Sequence, residues 1–131
     1  MSYTIENVLK QSMGNKAADE FQSGVLEIYN STPTLLASFD LPASLSSTSS
    51  GVVDLTAGGT LSTTVESGID GEDPDHFIIK AGGDGDVGSG TAVLTGAASS
   101  AGSGGDVSFN VNTNWNDGDS VQISTANYTV N

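Results

Sequence analysis

The period of the apolar positions changes once along the chain. Between residues 3 and 20, Ile5, Val8, Leu9 and Met13 recur at helical spacing and form one narrow apolar stripe. From Gly24 onward the apolar positions alternate, as on strands with one buried face. The pattern predicts a helix followed by about eight strands, at 25–29, 35–41, 52–55, 60–66, 77–79, 91–95, 107–111 and 121–130. Ser2 or Thr4 is placed to cap the helix, and Gly14-Asn15 to interrupt or end it. A lone helix of this length is marginal in water, so it must pack on the β domain or on a neighbouring chain.

Turn chemistry separates the strands. Asp70-Gly71, Asp84-Gly85 and Asp117-Gly118 suit backbone with positive φ. The Gly, Ser and Ala stretches at 44–50, 82–90 and 96–105 read as loops. Val121 and Ile123 share one parity, whereas Tyr128 and Val130 share the other. A bulge near 125–127 would bring all four to one face. The predicted fold is all-β: an antiparallel β-sandwich or jelly-roll-like domain at 21–131, preceded by a short N-terminal α-helical arm at 1–20.

Composition narrows the function. At 131 residues the chain is one domain, able to bury roughly two-thirds of its unfolded surface. It has no Cys, so neither a disulfide framework nor a thiolate metal site is expected. Three basic against 16 acidic residues leave a formal charge of −13. That balance argues against nucleic acid and against an anionic membrane, both of which need clustered cations. No apolar run approaches the ~20 residues of a membrane helix. The first residues lack the basic and apolar regions of a secretory signal.

Candidate chemistry is sparse. His76, next to Asp75, is the one imidazole, with no second His or Cys to complete a zinc site. No nucleophile–base pair is visible, so an enzyme is not expected. Asp70, Glu72, Asp73 and Asp75 crowd one loop and are weak calcium candidates, without the spacing of a helix–loop–helix calcium site. No other cofactor is expected. Gly82-Gly83-Asp84-Gly85-Asp86 is similar to a calcium-binding β-roll repeat, but it occurs once, and such rolls work as stacked arrays. Trp115, the only Trp, is either an interface anchor or a loop aromatic folded back onto the core.

Four segments carry a resemblance. They are Gly24-Val25-Leu26-Glu27-Ile28-Tyr29, Thr34-Leu35-Leu36-Ala37-Ser38-Phe39-Asp40-Leu41-Pro42, Gly51-Val52-Val53, and Asp117-Gly118-Asp119-Ser120-Val121 with Tyr128-Thr129-Val130. In this order they resemble small virion structural proteins of tailed bacteriophages. Where that family often carries a Trp-Phe-Arg type strand, this chain has His76-Phe77-Ile78-Ile79-Lys80. The resemblance implies a capsid decoration (cement) protein on the virion surface, made in the host cytoplasm. Its implied partners are the major capsid protein and copies of itself, most simply as a homotrimer. Ile5, Val8, Leu9, Met13 and Trp115 are the expected partner contacts. The alternative is a tail- or fibre-associated module that binds a receptor or carbohydrate.

Overall fold

The computed structural model describes residues 4–100, 107–109 and 114–130. Among the described residues, one helix, α1 (Asn7–Phe21), precedes eight strands: β1 (Val25–Tyr29), β2 (Leu35–Asp40), β3 (Val52–Asp54), β4 (Leu61–Thr64), β5 (His76–Lys80), β6 (Ala92–Ser100), β7 (Val107–Phe109) and β8 (Ser120–Thr129). The expected all-β class with a leading helix is therefore the observed one. The end of the expected seventh strand, at Val111, lies outside the described residues.

The strands form one hydrogen-bonded path, β2-β1-β5-β6-β7-β8-β3, with β4 also paired to β8. Every pairing is antiparallel except β6 with β7, which is parallel. The path curls back on itself. Just past β4, the Glu66 N–H donates to the Leu36 carbonyl of β2 at 2.8 Å. Inside the curl lie Leu26, Ile28, Leu36, Phe39, Val53, Phe77, Ile79, Val107, Phe109, Val121 and Ile123, all buried. Alternation selects them: in β1 and β5 every second residue is buried.

Three local expectations need correction. First, the stretch at 96–105 reads as a loop, yet β6 continues through Gly96 to Ser100; residues 101–105 lie outside the described residues. Small residues carry no alternating hydrophobic signal, so the strand is held by its pairing with β5 and β7. Second, the bulge expected near 125–127 is present in β8 but centred one residue earlier. The β7 register jumps from Thr125 to Ile123, leaving Ser124 as the extra residue. That jump lets Val121, Ile123, Ala126 and Val130 all be buried. Third, α1 starts at Asn7, with extended Glu6 as its N-cap, so Thr4 does not cap it; Ser2 lies outside the described residues.

The helix also continues through Gly14-Asn15. A Cβ on Gly14 would lie 2.2 Å from the Ser47 hydroxyl, so glycine there permits close approach to the 44–50 loop. Asn15 secures the contact by accepting a hydrogen bond from the Ser47 N–H at 2.9 Å. Gly14, Ala18 and Phe21 are buried, and the Phe21 ring meets Tyr128 edge-on at 5.4 Å. The helix thus docks on the strand body through its small-residue face. No helix among the described residues is long and apolar enough to cross a membrane.

Candidate functional site

The side of α1 opposite the docked face carries the predicted apolar stripe. Val8 is 79% exposed, Leu9 52% and Met13 43%, the large exposed hydrophobic residues among those described. Ile5 is half-buried at the start of the same stripe. Scattered apolar surface residues are ordinary, but three large ones on one helix face form a coherent patch. Sequence reasoning found these residues and left open which way they face.

The helix that carries the patch is held firmly at its other end. The buried Glu20 carboxylate accepts the N–H groups of Asp86 and Val87 at 2.9 and 3.0 Å and pairs with Lys16 at 3.1 Å. Those two backbone donors, followed by Lys16, hold the Glu20 carboxyl below its ordinary value. Lys16 also pairs with Asp86, and its ammonium is raised by the hydrogen bonds to Asp86 and Glu20. A Cβ on Gly85 would lie 2.4 Å from the Glu20 carboxylate, so glycine there lets the loop close on the carboxylate without displacing it. Sequence reasoning missed Glu20. The signal available was a Lys–Glu pair at i, i+4 facing a Gly-rich loop.

Trp115 is not a surface anchor. It is 1% exposed, its ring is edge-on to Phe109 at 4.8 Å, and its backbone exchanges hydrogen bonds with Glu72 at 2.7 and 3.0 Å. A buried ring adds more stability here than a loop contact would, so the core captured it. The expectation that Trp115 touches a partner is corrected accordingly.

The four acidic-loop residues do not converge. Glu72 accepts from the Asn30 amide at 3.0 Å, and Asp73 accepts from the Asn114 N–H at 2.7 Å. Asp75 pairs with His76 Nδ1 at 2.9 Å, while Asp70 is exposed. Each carboxylate with a partner serves a different one, and no group of three potential metal ligands forms among the described residues. Glu72 and Asp73 instead pin the loop to the Trp115 segment.

His76 belongs to a surface ladder across β1 and β5. Its ring stacks on Tyr29 at 5.4 Å and 11°. Tyr29 donates to Glu27 at 2.9 Å, and Lys80 pairs with the same Glu27 oxygen at 2.9 Å. Partial burial and then the Glu27 bond raise the Tyr29 phenol, and the Glu27 contact raises Lys80. Each member has a cross-strand partner, so the ladder ties two strands together. No protein-family model, curated protein or solved structure matches this chain.

Proposed function

We propose that this protein is a structural adhesive that docks the outer face of α1 against a protein neighbour, in the role of a bacteriophage capsid decoration protein. The observation that carries the reading is the exposed Val8, Leu9 and Met13 patch on a helix already docked through its other face. Full burial of an exposed side chain of this kind gives about 1.5–3 kcal/mol before association costs, and Leu9 and Met13, already half-covered by the fold, would gain roughly half of that. Repetition over a lattice multiplies weak single contacts into durable attachment. The formal charge of −13 favours a partner that presents cations and disfavours DNA. The same reading expects a closed homotrimer, tested by the mass of the protein in solution.

Deleting the helix would be a poor test, because it would also strip cover from the strands beneath Ala18 and Phe21. The triple variant Val8→Ser/Leu9→Ser/Met13→Ser is cleaner. These side chains are exposed, so each change should alter stability by no more than ~0.5 kcal/mol. In cosedimentation with expanded capsids lacking the protein, the variant should lose occupancy at least tenfold while melting like the parent. Undiminished occupancy would refute the docking face.

A further inference from the structure

The chain has no Cys and two Met, so Met1 and Met13 carry all of its sulfur. Met13 lies on the outer side of α1, 43% exposed. It follows Leu9 by four residues, and residues four apart on a helix are side-by-side neighbours. Its side chain therefore extends the apolar surface of Leu9 and Val8. The residue after it, Gly14, is buried against the 44–50 loop. The body thus holds the backbone here while the Met13 side chain stays within reach of a dissolved oxidant.

An accessible thioether is a common target of peroxides. The sulfur lone pair attacks one oxygen of hydrogen peroxide, the O–O bond breaks, and one water leaves. Sulfur gives up two electrons, the peroxide takes them, and the side chain becomes the sulfoxide. The product is polar and chiral where the thioether was apolar and adaptable. On the free protein water solvates the new oxygen. Against an apolar partner surface that water is stripped away with no donor to replace it. The fold itself is spared, because α1 docks through Gly14, Ala18 and Phe21, and Trp115 is shielded in the core.

We propose that Met13 is a modification site, and that its oxidation by a peroxide releases the protein from the neighbour it docks on. The inference deepens the docking role given to α1 and rests on it. Val8 and Leu9 cannot respond in this way, since neither carries a group that a peroxide oxidises readily. The change is reversible. Methionine sulfoxide reductases transfer the oxygen to water at the expense of a dithiol, which becomes a disulfide, and return the thioether. The same face is thereby apolar and adhesive when reduced, and polar at its Met13 end when oxidised.

The test uses the full chain, hydrogen peroxide, and expanded capsids lacking the protein. Peptide mass spectrometry should find one added oxygen at Met13 after treatment of the free protein. The oxidised protein should melt as the parent does, yet its occupancy on capsids should fall at least tenfold. A mixture of two sulfoxide reductases, one for each epimer, should restore it. Treated and untreated Met13→Leu should match each other in occupancy, because Met1 is then the only sulfur left to oxidise. The proposal is overturned by an unmodified Met13, by undiminished occupancy of the oxidised parent, by a loss that the reductases do not reverse, or by an equal loss in treated Met13→Leu. The triple serine variant separates this failure from that of the docking reading. If that variant loses occupancy while the oxidised parent keeps it, α1 docks but Met13 does not control it. If that variant matches the untreated parent, the docking face is wrong and the proposal falls with it.

Discussion

Gly14 sets how closely α1 lies on the body. Its replacement by alanine raises helix propensity by about 1 kcal/mol. The new methyl would sit 2.2 Å from Ser47 Oγ and 2.6 Å from Ser47 Cβ, which no small shift relieves. Overpacking of that kind costs about 1–3 kcal/mol, so the clash should outweigh the gain. Gly14→Ala is expected to lower stability in urea denaturation, and Ser47→Gly in the same background to restore most of it. Unchanged stability of the single variant would show that the helix is not seated on that loop. Trp115 poses the matching question for the core. Trp115→Ala should cost about 3–5 kcal/mol, with near-UV circular dichroism reporting the loss of packing. A cost under 1 kcal/mol would put the ring back on the surface. The sequence showed one Trp between Asn residues, a setting compatible with a loop tip or a core plug. Its ring partner Phe109 is six residues away, but Phe109 in turn stacks on Phe39, far off in sequence, and only the folded strands assemble that aromatic cluster.

The element scale shows what periodicity can reveal. Strands β1, β2 and β5 were legible from short runs of branched and aromatic residues bounded by turn residues, with Phe77-Ile78-Ile79 apolar on both faces as suits a central strand. The last turn of β6 was not, since Gly96 to Ser100 is small or polar throughout. The helix was legible as a helix, but the face it docks by was not. Large apolar residues set the period that sequence reading follows, whereas Gly14 and Ala18 make the intramolecular contact. Small residues let backbones approach, so the docked face is the one with the weaker hydrophobic signal. The contact at Glu20 gives this scale its pH dependence. A folded carboxyl held below its ordinary value adds stability above that value, and the contribution is lost as pH falls through the folded pKa. Glu20→Gln should therefore melt below the parent at pH 7. The gap should narrow steadily once the pH drops under the usual glutamate range. Equal melting temperatures at pH 7 would mean that the carboxylate does not hold the 82–90 loop.

On the scale of the whole molecule, the described residues divide into a satisfied body and an unsatisfied outer face. Among the side chains described, no buried polar atom lacks a partner. Two of the three lysines, Lys16 and Lys80, are committed to internal ion pairs, which leaves cations to the partner. What the body leaves over is apolar: Val8, Leu9 and Met13 on the helix. Composition made the acidity and the shortage of reactive groups plain. The surface itself required the docked helix, because exposure depends on which face the strands have already taken. The most direct measurement is hydroxyl-radical footprinting of Val8, Leu9 and Met13 in the free protein and on intact particles. Strong protection of these residues on the particle, with Lys16 and Asp19 labelled or accessible as before, is the predicted result. Equal labelling of the three side chains in both states would contradict the account.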